Sequence, residues 1–222
     1  MNKSICTLFL FLTNTYLIFG QVNKKRVYEI SVFNEPQTIE LIEYDNGKYS
    51  GNVITKISKG KRGAGWIDRT WKNIWNIKDK EIVDKNSIDQ TVVKELMAEL
   101  KDNGIETIKK CSDDNECNKH MFLDGGTVGF NIKTSEIERE YWFEEIYPLN
   151  EKNKEKIYLR FKAQILITIL YKHIDLKQRF SDLFKRLPRG YYYWYLSSGN
   201  SIVMIKNRKR KKNMRNNCMY SK

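Results

Sequence analysis

Two alternating runs, TIELIEY (38–44) and KYSGNVITKI (48–57), stand either side of Asp45-Asn46-Gly47. Alternation places every second side chain on one face of an extended strand. Asn-Gly suits a two-residue hairpin turn, because both positions tolerate positive φ. A folded region that opens this way is committed to antiparallel pairing. The preceding VYEISVF (27–33) also alternates, with Tyr28, Ile30 and Val32 on one face, so the first third reads as a β-meander.

Helical spacing follows. Ile88, Val92, Val93, Leu96, Met97 and Leu100 form an apolar stripe over residues 89–103. Ser87 and Gln90 have the spacing of a capping box, and Gly104 is a left-handed stop. Within 123–147, Val128, Phe130 and Ile132 alternate, as do Ile137, Tyr141, Phe143 and Tyr147, which reads as a second hairpin. Segment 151–173 carries Ile157, Phe161, Ile165, Ile169 and Leu170 at helical spacing. Its ILITIL run also suits a strand, but length and charged flanks favour a helix. Asp175 is positioned to cap a shorter helix through Leu187, ended by Pro188-Arg189-Gly190. GYYYWYL (190–196) and SIVMIK (201–206) make a closing hairpin. The expected fold is a single α+β domain over residues 21–205, with an antiparallel β-meander and hairpins packed against two or three helices.

The N-terminus has the layout of a secretory signal peptide over residues 1–20: Lys3, a mostly apolar run from Thr7 to Phe19, and Gly20 before Gln21. The run is short of the ~20 apolar residues of a membrane span, an uncleaved anchor being the competing reading. Export, periplasmic or secreted, with cleavage near Gln21 is therefore the expectation. It alters how the cysteines read. In an oxidising compartment Cys111 and Cys117, bracketing SDDNE, favour a structural disulfide. The CxxxxxC spacing and the lack of a following glycine fit neither a zinc site nor an EF-hand loop, and no metal or cofactor is implied. Cys218 would be left as an unpaired thiol.

A formal charge of +13 suggests a polyanion partner, but its distribution is uneven. Residues 206–222 carry eight basic side chains and no acidic one, which with Lys3 leaves +4 for residues 21–205. That tail, with Arg208, Lys209, Arg210, Lys211 and Lys212 in one run, reads as disordered. It offers a weak anionic-surface contact, and no specific nucleic acid is expected.

Candidate contact residues are aromatic. Trp66 and Trp71, interleaved with Lys and Arg in 58–80, together with Trp142, Tyr192 and Trp194, are the candidates for an exposed binding surface. Tryptophans at helical spacing, such as Trp71 and Trp75, equally well pack a core. Glu138, Glu140 and Glu144 share one strand face, and with Asp124 they are the carboxylates a hydrolase would draw on, whereas a row of Glu is more commonly a solvated face. Walker, GxGxxG, HExxH and GxSxG motifs are absent, which lowers the odds of an enzyme. The leading expectation is an exported binding or inhibitory module with an unknown protein or glycan partner in the cell envelope. The alternatives are a hydrolase of envelope polymers, and a protein held at a polyanion or membrane surface by its tail.

Overall fold

The computed structural model describes residues 23–32, 34–60, 80–119, 127–195 and 201–206. Residues 1–20, expected to be a signal segment, residues 61–79 with Trp66 and Trp71, His120, Asp124 and the basic run Arg208–Lys212 lie outside them.

Strands β1 (Lys24–Ser31), β2 (Gln37–Tyr44) and β3 (Tyr49–Gly60) form the meander expected from alternation. Strand β4 (Lys80–Ile88) pairs with β3 along Gly51–Lys59, and β3 runs past the end of β2 to pair with β7 (Gly190–Tyr195). β2 and β7 therefore share one edge of β3, and β4 takes the other. β5 (Thr127–Thr134) and β6 (Glu138–Glu144) extend the sheet from β1, and β8 (Ser201–Lys206) extends it from β7. All pairings are antiparallel in one eight-stranded sheet, with four α-helices among the described residues: α1 (Gln90–Asp102), α2 (Asn115–Asn118), α3 (Tyr158–His173) and α4 (Leu176–Arg186).

One face of the sheet makes the core. Tyr28, Ile30, Ile39, Leu41, Val53, Val128, Phe130 and Ile132 are buried there with Val93, Leu96 and Leu100 of α1 and Ala163, Leu166, Ile167 and Leu170 of α3. A second cluster under β7 and α4 joins Ile57, Leu183, Leu187, Tyr192 and Trp194. The fold is thus a single α+β domain with a main core and a satellite.

Local departures from expectation have physical causes. The β2–β3 connection is not a two-residue turn: only Gly47 has positive φ (74°), its N–H donates to the Tyr44 carbonyl at 3.0 Å, and Tyr44 N–H donates to the Lys48 carbonyl. This is a type I turn closed by a glycine bulge. Ser87 does not cap α1, because it is held in β4 opposite Asn52; Asp89 caps instead, accepting from Thr91 N at 2.8 Å. Gly104, at φ 85°, ends α1 as expected, with Ile105 N–H reaching the Leu100 carbonyl and Gly104 N–H the Lys101 carbonyl. After β6, Glu145 adopts φ 51° and breaks the alternation, so Ile146 is buried and Tyr147 faces solvent, the reverse of the sequence expectation.

In α3 the buried face is Leu159, Ala163, Leu166, Ile167 and Leu170, whereas Ile157, Phe161 and Ile165 are half-buried. Polar residues accompany it. Arg160 makes a two-point ion pair with Glu155 (2.9 Å each) and donates to the Glu144 carbonyl. Gln164 donates to the Tyr147 and Asn153 carbonyls and accepts from Glu155 N, and Thr168 accepts from Leu149 N. Three positions four residues apart thus hold the irregular 144–156 connection against the helix.

Lys206, counted with the tail on sequence grounds, is the last residue of β8. Its ammonium donates to the carbonyls of Phe184 (2.7 Å), Lys185 (2.6 Å) and Leu187, the acceptors left open at the end of α4. A cation there also complements the helix dipole. Lys206→Met, which keeps the stem and removes the donors, is expected to cost about 2 kcal/mol, read as a lower urea midpoint at unchanged m-value.

Candidate functional site

The residues singled out in the sequence separate in space. Tyr192 and Trp194 were expected to face solvent, but they are the inward residues of β7, at 1% and 9% exposure. The cause is α4: Phe180 meets Trp194 edge-on (centroids 5.5 Å apart) and Phe184 meets Tyr192 (6.4 Å), so this aromatic face seals the satellite core. The Tyr192 hydroxyl donates to the Pro188 carbonyl, and the Trp194 indole to the Asn34 carbonyl. The alternate face carries Tyr191, Tyr193 and Tyr195, of which Tyr195 is exposed.

Trp142 is different. It lies on β6, on the face turned away from the core, and is 48% exposed. It is opposite Gly129 in the register, and Gly129 is in turn opposite Ser31 of β1. A Cβ at Gly129 would sit 2.3 Å from Trp142 Cζ3, 2.7 Å from Cε3 and 2.5 Å from Ser31 Oγ. The missing side chain therefore lets the indole approach the β5 backbone closely. A glycine inside a strand often marks such a close approach, and Gly129 was the available but unused signal in the sequence.

Around this ring a cleft of about 300 Å³ opens between β6 and the disulfide loop. Trp142, Glu140 and Glu144 line one side, and Lys110, Cys111, Ser112 and Asn118 the other, with Thr127 and Arg160 also contributing. Cys111 and Cys117 are joined, with Cα atoms 5.1 Å apart. Cys117 is fully buried, and Asp114 caps the short helix α2 by accepting from the Glu116 and Cys117 amides (3.0 and 2.8 Å). The staple thus presents Ser112 and Asn118 toward the strand. Arg160 brings the end of β6 to the same place through the Glu144 carbonyl. Lys110, Ser112, Asn118, Thr127 and Arg160 were not legible as site residues.

Of the carboxylates a hydrolase would draw on, Glu138, Glu140 and Glu144 sit on this outer face, and Asp124 lies outside the described residues. Glu138 pairs with Lys133 (3.1 Å) in solvent. Along a strand, Glu138 and Glu140 are separated by roughly 7 Å, side by side rather than across a cleft, and Glu140 and Glu144 by roughly 13 Å. Two carboxyls flanking a glycosidic bond stand about 5–9.5 Å apart.

The other ionic groups are structural. Arg26 bridges Glu43 and Glu106 (2.7 Å to the latter), Lys25 adds to Glu43, and the buried Tyr28 hydroxyl donates to Glu106 at 2.6 Å. Burial and the Glu106 carboxylate push the Tyr28 phenol far up, so it stays a donor. Glu99 of α1 meets His173 (2.7 Å) and Lys172 of α3, and these partners hold its carboxyl below the usual range. Among the described residues, no group of three or more His, Cys, Asp or Glu side chains is placed to hold a metal ion, and no helix is long and apolar enough to cross a membrane.

The fold and site define an α+β domain that presents a half-exposed tryptophan in a cleft bordered by Glu140, Glu144, Lys110, Ser112 and Asn118. Comparison with protein-family models, curated proteins and solved structures finds no match for the chain.

Proposed function

We propose that the protein is an exported binding module and that the Trp142 cleft is its contact site, with a glycan of the cell envelope as partner. The observation that carries this reading is the Trp142 indole packed closely against Gly129 while the residue stays 48% exposed. A pyranose ring offers a face of slightly positive C–H groups to the negative face of an aromatic ring. Its hydroxyls donate to carboxylates such as Glu140 and Glu144 and accept from Ser112, Asn118 and Lys110. A protein partner rests on the same ring but makes less use of so many small polar groups. Export accords with the signal-like leader and the disulfide, which persists outside the reducing cytosol.

The test is binding to immobilised envelope polysaccharides by the wild type, Trp142→Ala, and a chain ended after Asn207. The expected result is loss of binding with Trp142→Ala alone, about tenfold or more, since stacking on one aromatic ring is worth about 1–3 kcal/mol. Retention of binding by Trp142→Ala contradicts the reading.

A second reading has one observation in its favour. Lys206, which immediately precedes the tail in sequence, is held at the end of α4 and lies opposite Gly190, next to the exposed Arg189; Lys185 and Arg186 there pair with Asp182 and Asp84. Weak attachment to an anionic surface follows from this, and it is expected to vanish in high salt and on truncation after Asn207.

A further inference from the structure

The satellite core is not closed. Between α4 and β7–β8 it leaves a cleft of about 300 Å³ whose walls are Phe180, Phe184, Trp194 and Met204. Two charged residues, Glu35 and Lys177, share its lining with these apolar side chains. The Glu35 carboxylate is partly buried and accepts from the Tyr171 hydroxyl at 3.2 Å. Burial pushes its pKa up while Lys177 pulls it back, so the two charges are near enough to feel one another. The volume is at the lower end of the range for small-molecule sites, roughly 300–1,000 Å³, and suits a single small molecule rather than a polymer.

We infer that this cleft is a second binding site, for a free amino acid with a large apolar side chain. The side chain lies among Phe180, Phe184, Trp194 and Met204, the ammonium meets Glu35, and the carboxylate meets Lys177. Each lining feature then has a complement. Phe180 and Trp194 already meet edge-on at 72°, an arrangement a third ring can extend. Without ligand, Glu35 keeps the Tyr171 hydroxyl and the nearby Lys177, and Lys177 keeps water; a ligand bearing only one charge forgoes one charge-assisted contact, and a neutral one forgoes both. The site is separate from the Trp142 cleft in its lining residues and does not depend on the glycan reading.

The experiment is calorimetric titration of the full chain with L-phenylalanine, phenethylamine (which lacks the carboxylate) and 3-phenylpropionate (which lacks the ammonium). Phenylalanine is expected to bind about tenfold or more tightly than either single-charge probe, the size of one charge-assisted hydrogen bond. Glu35→Gln is expected to weaken phenylalanine and phenethylamine but not phenylpropionate. Lys177→Gln, an exposed change that leaves the core intact, is expected to weaken phenylalanine and phenylpropionate but not phenethylamine. The inference is overturned if phenylalanine does not bind, if the three probes bind alike, or if neither substitution alters the order.

Discussion

Arg160→Met is expected to lower the unfolding free energy by roughly 3 kcal/mol. Arg160 is 3% exposed although its neighbours along the helix are Leu159 and Phe161. Its guanidinium meets both oxygens of Glu155 and the Glu144 carbonyl. Methionine fills most of the volume but leaves a half-buried carboxylate without its cation and a carbonyl without that donor. The exposed pair Lys133–Glu138 supplies the comparison, since screened surface pairs are worth about 0–1 kcal/mol. Urea unfolding of Arg160→Met and Lys133→Met checks both. Similar midpoints for the two variants would show that the Arg160 network does not hold the 144–156 connection.

Gly129→Val is expected to abolish glycan binding about as completely as Trp142→Ala while costing only about 1–2 kcal/mol of stability. The new Cβ meets the benzo edge of a half-exposed ring, which can swing outward, and the Ser31 hydroxyl, which can turn to another rotamer, and β-branched residues suit strands. The indole would then stand off the sheet and no longer form the floor of the cleft. The substitution thus alters the platform without touching Glu140, Glu144 or the disulfide loop. Retained affinity in Gly129→Val would mean that the ring orientation is irrelevant to binding.

The parts of the fold that showed in the sequence are those where one strand face alone decides burial. Tyr28, Ile30 and Val32, or Val128, Phe130 and Ile132, alternate cleanly, and the sheet buries them as expected. β4 did not show, because four of the six residues in Lys80-Glu81-Ile82-Val83-Asp84-Lys85 are charged; it is a strand through its pairing with β3, a tertiary effect. β7 alternates aromatics on both faces, so the pattern cannot say which face turns inward; Phe180 and Phe184 of α4 decide it. In α3 the apolar residues surround most of the helix, and only the 144–156 chain selects the face that keeps Arg160, Gln164 and Thr168. The cysteine pair was legible because its short spacing, read with the expectation of export, pointed to a disulfide. Its role as a wall of the Trp142 cleft was not, since that depends on β6 and the loop meeting in space. Of the five aromatic candidates, Trp142 alone is found exposed among the described residues, with Tyr192 and Trp194 built into the satellite core.

The most direct test follows the tryptophan indole N–H signals by NMR while a binding envelope oligosaccharide is added, with the Trp142 signal assigned from Trp142→Phe. The account predicts a shift of the Trp142 signal on saturation and none for Trp194, which belongs to the other cluster. A binding oligosaccharide that leaves Trp142 unmoved, or a failure of every envelope oligosaccharide to bind, contradicts it.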